Sequence, residues 1–141
     1  MYKRILVAVE HSSADNAILA HIRPLARMCG SSLLLVHVAD GWVARAYDEL
    51  KLRESPEIQA DRAYLEQLRA TLAGEGFTVE TRLAMGDPAA EIIRITQTDP
   101  VDLVAMATHG HKFIKDLVLG ATVDKVRHEV AVPVLLLKAG G

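Results

Sequence analysis

Four short apolar runs limit what this chain can fold into: residues 5–9, 33–38, 101–106 and 132–137. Each is rich in Val, Leu or Ile and shows little alternation. Such a strand is at home where both faces of its sheet are covered. A fifth stretch, residues 77–83 (Phe-Thr-Val-Glu-Thr-Arg-Leu), does alternate, which predicts a half-exposed edge strand.

Helical patterns separate these runs. The first opens at Ser12, with Asp15 three positions on in the spacing of a capping box. Ala14, Ala17, Ile18, Leu25 and Cys29 share one face, Gly30 suits the end, and Pro24 is placed to kink the helix. The second opens at Ser55-Pro56-Glu57 and carries a stripe of Tyr64, Leu65, Leu68 and Leu72. The third opens at Asp87-Pro88 and stops before Asp99-Pro100. The fourth opens near Gly120 and turns Val123, Val126 and Val130 inward. Strand and helix alternate to the last strand. That order predicts a doubly wound α/β fold, a parallel sheet with helices on both faces and right-handed crossovers. Nothing marks an interdomain linker, so residues 1–141 are expected to form one domain. Residues 39–55 are long for a connection and hold Trp42 and Tyr47, which predicts an extra helical turn or a flap.

Composition removes several function classes. Aromatics are 4% of a chain that is half apolar, so the core must be aliphatic. The formal net charge of −2 argues against nucleic acid held by its phosphates. No apolar run approaches the roughly 18 residues of a membrane span. Cys29 is the single cysteine, so no disulfide framework exists and a cytoplasmic setting is expected. Cys29 itself is expected to be a small buried hydrophobe.

In open α/β sheets ligands bind beyond the carboxyl ends of the strands, where the winding reverses. The loop after the fourth strand is the most informative such segment: Ala107-Thr108-His109-Gly110-His111-Lys112, then Gly120-Ala121-Thr122 at the expected helix start. Glycines let backbone amides approach an anion, and a helix N-terminus supplies free N–H groups. Lys112 and the Thr122 hydroxyl are near in sequence. Simple turn chemistry would also explain the two glycines. Glu10, after Ala8 and Val9 at the tip of the first strand, is placed to accept hydrogen bonds from ribose hydroxyls or to serve as a helix cap. His109 and His111 have His-x-His spacing, but no cysteine or carboxylate set accompanies them, so no metal site is expected. Ser12 and Ser13 suit caps. No nucleophile elbow, phosphate-loop motif or dinucleotide fingerprint is present.

These residues resemble the universal stress protein family along nearly the whole chain. The likeness lies in Lys3-Arg4-Ile5-Leu6-Val7-Ala8-Val9, Leu35-Val36-His37-Val38, Gly86-Asp87-Pro88 and Asp102-Leu103-Val104-Ala105-Met106. It continues in Thr108-His109-Gly110-His111-Lys112, Leu119-Gly120, Asp124-Lys125-Val126-Arg127-His128 and Val132-Pro133-Val134-Leu135-Leu136-Leu137. The resemblance implies a five-stranded parallel sheet of order 3-2-1-4-5, of the adenine nucleotide alpha hydrolase-like kind. It sets Glu10 opposite the Ala107 loop. It implies a homodimer through the last strand, between Val132 and Leu137, an apolar edge that would be a liability if left unpaired.

The family's ATP-binding branch carries Gly-x2-Gly-x9-Gly-Ser/Thr. On this chain the second and third glycines are Gly110 and Gly120, whereas Ala107 stands for the first and Ala121 for the Ser/Thr. Glu10 stands where relatives usually have Asp, and Val38 and Met106 match positions lining the adenine pocket. The site implied is therefore Ala8, Val9, Glu10, Val38, Met106, Ala107, His109, Gly110, Gly120, Ala121, Thr122 and Val123. Its ligand would be ATP or AMP, with or without Mg2+. Losing one charge-assisted hydrogen bond at Ala121 is worth about 1.5–3 kcal/mol, roughly ten- to a hundred-fold in affinity. Three functions follow in order: a nucleotide-binding stress-response module, a member acting only by dimerisation and partner contact with Phe113 filling the pocket, and a slow ATP hydrolase.

Overall fold

The computed structural model describes residues 1–40, 56–109 and 115–139. The expected flap at 41–55, the cap at Ser55, and Gly110, His111, Lys112 and Phe113 lie outside the described residues. In chain order the elements are β1 (Arg4–Ala8), α1 (Ala14–Cys29), β2 (Ser32–Asp40), α2 (Pro56–Gly74), β3 (Val79–Gly86), α3 (Pro88–Thr98), β4 (Leu103–His109), α4 (Lys115–Glu129) and β5 (Val134–Ala139). The strands form one parallel sheet of order β3-β2-β1-β4-β5, as the resemblance implied.

Side chains alternate across the central strands and so build two cores. Ile5, Val7, Leu33, Leu35, Leu103 and Ala105 pack toward α1 and α2, where Ile18, Ile22, Leu65 and Leu72 meet them. Leu6, Leu34, Val36, Val104 and Met106 pack on the other face against Ile92 and Ile95 of α3 and Val126 of α4. Burial of both faces is why these runs are apolar throughout. Each such side chain contributes about 1.5–3 kcal/mol. β3 lies at an edge and is mostly half-buried, as its alternation predicted.

Several local expectations hold in detail. Asp87 caps α3, its carboxylate accepting from the Ala90 N–H at 2.9 Å, with Pro88 in the first turn. Gly86, at φ +136°, makes the turn into that cap in a region that disfavours any side chain. Gly30 closes α1 in the left-handed conformation. Others are corrected. Strand ends lie one to three residues from their expected limits, and Val9 falls just beyond β1. α1 starts at Ala14 after Ser13, which makes no side-chain cap, and the helix continues through Pro24. Its buried positions include Leu19, Ile22 and Ala26, whereas Cys29 is half-exposed. In α2 the buried stripe is Ile58, Leu65 and Leu72, with Tyr64 and Leu68 half-buried.

The largest correction concerns α4. It starts at Lys115, so Gly120 lies inside the helix and not at its amino end. An interior glycine costs about 1 kcal/mol against alanine.

Candidate functional site

β1 hydrogen-bonds to β2 on one side and β4 on the other, so the winding reverses across it. It is also shorter than its neighbours. Ala8, its last residue, pairs with Val36, whereas β2 runs on to Asp40 and β4 to His109. The two neighbours therefore overhang the point where β1 leaves the sheet. Between them lies a cleft of about 180 Å³. Ala8, Val9 and Glu10 line it from the end of β1, His37 and Val38 from β2, and Met106 and Ala107 from β4. Among the described residues, Val36 of β2, Pro88 and Ile92 of α3 and Thr122 of α4 also line it.

The backbone adds polar edges. Residues two apart on a strand present their N–H and C=O to the same neighbour. The Val36 carbonyl accepts from the Val9 N–H at 2.9 Å. Val38 therefore presents its N–H and C=O to the same side, past the last β1 residue.

Most of the expected site residues thus meet in one place: Ala8, Val9, Glu10, Val38, Met106, Ala107 and Thr122. The rest do not. Ala121 is exposed, while Thr122, the next residue, is buried and lines the cleft. Thr122 stands one turn before the buried Val126 and so shares its inward face, whereas Ala121 turns outward. Val123 packs into the α3–α4 core. His109 ends β4, and Gly120 sits within α4.

The loop after β1 is held from behind. Asp15 is 1% exposed, and its carboxylate accepts from the backbone N–H groups of Glu10 (2.8 Å), His11 (2.9 Å) and Ser12 (3.3 Å). Asp15 thus makes its half of the expected capping box by accepting from the Ser12 N–H, the Ser12 Oγ accepts from the Ala14 N–H at 3.2 Å, and Asp15 also reaches back onto the loop. The Tyr64 hydroxyl donates to the same carboxylate. Burial, reinforced by that hydrogen bond, pushes the phenol well above its ordinary range, so it remains a donor. Glu10 accepts from the Ser12 hydroxyl at 3.1 Å. His11 adopts φ +62°, uncommon for a non-glycine residue, and its ring stacks on Tyr64 with centroids 4.0 Å apart. Asp61 of α2 stands between two histidines, with Oδ1 2.7 Å from His11 Nδ1 and Oδ2 3.3 Å from His37 Nε2.

Sequence reasoning missed His37, Pro88 and Ile92 in the lining, and the whole Asp15–Tyr64–His11–Asp61 set behind it. One signal was available: Asp61 shares a helical face with Tyr64, Leu65 and Leu68, and an acid on an apolar stripe needs a partner. Among the described residues, no group of three or more His, Cys, Asp or Glu side chains is arranged to hold a metal ion. No helix among them is long and apolar enough to cross a membrane.

Comparison with known proteins places this architecture. The universal stress protein family model matches residues 1–138. A universal stress protein of Thermus aquaticus is 31% identical over 140 residues, covering 98% of this chain and all of the relative. The solved structure of MJ0577, a universal stress protein of Methanocaldococcus jannaschii, superposes with a TM-score of 0.83 at 25% identity, over 100% of this chain and 99% of the other. That of a universal stress protein from Archaeoglobus fulgidus in complex with dAMP superposes at 0.70 with 20% identity, over 97% and 98%. This chain belongs to the universal stress protein family.

Proposed function

We propose that this chain is an adenine-nucleotide-binding regulatory module of the stress response, acting as a homodimer and not as an enzyme. The observation that carries the reading is the overhang cleft, with the Val38 backbone edge on one side and Glu10 at its floor. An exposed C=O and N–H pair matches the amino donor and ring-nitrogen acceptor of adenine. Val36, Ile92 and Met106 supply apolar walls for a flat base. Glu10 suits ribose hydroxyls, and the Thr122 hydroxyl suits a phosphate oxygen. The dAMP complex of the Archaeoglobus relative supports the same ligand class.

β5 lies at the sheet edge with Leu136 39% exposed, which supports pairing with a second copy there. Calorimetric titration with AMP, ADP and ATP, with and without Mg2+, tests the reading. The expected outcome is saturable binding of AMP with Kd below about 1 mM, worth roughly 4 kcal/mol. No heat from any nucleotide at millimolar concentration overturns it. Light scattering on the same samples should return twice the monomer mass.

A further inference from the structure

Glu10 reaches the cleft from a loop, and a glutamate carboxylate swings on several side-chain torsions. A ligand that bonds to it must first order it, and ordering a long side chain weakens binding. Whatever restrains Glu10 before a ligand arrives therefore sets part of the affinity.

The restraint is Ser12, two residues on. Its Oγ accepts from the Ala14 N–H at 3.2 Å. An amide can only donate, so the hydroxyl keeps its own hydrogen for another partner. That partner is Oε2 of Glu10 at 3.1 Å, a carboxylate oxygen that can only accept. The Ala14 amide thus turns the hydroxyl, and the hydroxyl holds the carboxylate.

Both ends of this tether stand on a fixed backbone. The N–H groups of Glu10, His11 and Ser12 all donate to the buried Asp15 carboxylate, which Tyr64 also holds from α2. His11 lies between the tethered residues at φ +62°, a conformation that a non-glycine residue keeps only where its surroundings impose it. Here they do. The His11 ring stacks on Tyr64, and its Nδ1 donates to Oδ1 of Asp61 at 2.7 Å. Ser12 is exposed and Glu10 half-buried, so water competes for the tether, which adds little to the stability of the fold. Its consequence lies in what the cleft binds.

We infer that Ser12 is a positioning residue: it aims the Glu10 carboxylate and so sets the affinity that the sugar adds to a bound adenine nucleotide. This rests on the proposed nucleotide reading and names the residue behind its sugar contact. The base, matched by Val38 and the apolar walls, does not depend on it.

The test is calorimetry of the full chain with AMP, adenosine and adenine. Ser12→Ala should weaken AMP and adenosine about three-fold and leave adenine unchanged, as for the loss of one ordered side chain. Ser12→Thr keeps the hydroxyl and should restore the affinity. In a Glu10→Ala background, Ser12→Ala should have no further effect, because it acts through Glu10. No loss, or equal losses for adenosine and adenine, would leave Ser12 a cap of α1 and overturn the inference. So would a loss that persists without Glu10, or an unmodified protein that binds adenosine no more tightly than adenine. Each of these leaves the nucleotide reading standing. No binding of AMP, adenosine or adenine by the unmodified protein overturns both.

Discussion

At the amino end of the sheet, Arg4 of β1 donates to Asp99 at 2.7 and 3.1 Å and to the more exposed Glu80 at 3.2 Å. Arg82 reaches Asp99 at 3.3 Å, and the Asp102 carboxylate accepts from the Lys3 and Arg4 N–H groups at 2.9 and 3.0 Å. Charges of opposite sign from β1, β3 and the loop before β4 meet there and close that end. At the carboxyl end the strands part, and the buried acid, Asp15, turns its oxygens to a backbone loop and a phenol. The amino end spends its charges on joining strands. The carboxyl end spends them on holding a loop away from the strands, which keeps a cleft between β2 and β4. One end can lose a contact and stay closed. At the other, the backbone of the loop rests on the Asp15 carboxylate, with Asp61 holding the His11 ring beside it.

That asymmetry is broken most directly at Asp15. Asp15→Ala leaves three loop N–H groups and the Tyr64 hydroxyl without their acceptor. The loss should be about 3 kcal/mol or more, since each unmet buried donor costs about 1–3 kcal/mol. Chemical denaturation would register this as a lower midpoint with an unchanged slope. A loss below about 1 kcal/mol would mean that water replaces the carboxylate, and the contrast between the two ends would fall with it.

Much of this frame was legible from residue order. Strands buried on both faces announce themselves by unbroken apolar runs, and Asp87-Pro88 and Gly30 punctuate helices by local chemistry that needs no partner far away. The cleft's edges at Glu10, Val38, Met106 and Ala107 followed from strand ends plus family likeness. The contacts behind them did not. Asp61 and His11 are 50 residues apart and Tyr64 and Asp15 are 49, and no spacing rule reports a pairing that only the packing of α2 on the sheet creates. The start of α4 was missed for the opposite reason. Gly120 is a strong local signal, and the residues before it outweighed that signal. The inward face of Thr122 was legible all the same, since it lies one turn before Val126.

A smaller effect is expected at the closed end, and its pH dependence is what separates it from the first. The Arg4 guanidinium hydrogen-bonded to Asp99 holds that carboxyl below its ordinary value, with Arg82 assisting against the cost of burial. A depressed folded-state value means the pair stabilises the fold above about pH 4, the unfolded carboxyl range, and that this is lost as pH falls through the folded-state value. Asp99→Asn should therefore cost about 2 kcal/mol at pH 7, as for a hydrogen bond to a charged group. The difference from the unmodified protein should shrink steadily below pH 4. Nucleotide affinity at pH 7 should not change, because the residue lies at the far end of the sheet. A constant difference down to pH 3 would mean that the side-chain shape, and not its charge, holds that end closed.

The finest distinction concerns what the open end holds. Thr122 lines the cleft while nearly all of its surface is buried, so Thr122→Val replaces the hydroxyl by a methyl of similar volume and leaves the packing against α3 intact. Thr122 already makes an interaction within the protein, so stability should fall by about 1 kcal/mol, the net worth of one hydrogen bond. AMP affinity should fall about ten-fold, the equivalent of one hydrogen bond of about 1.4 kcal/mol. Adenosine, which lacks the phosphate, should bind both proteins alike. Equal losses for AMP and adenosine would move Thr122 from the phosphate to the sugar. No loss for either would return the hydroxyl's role to the fold and make the open end, like the closed one, a matter of structure alone.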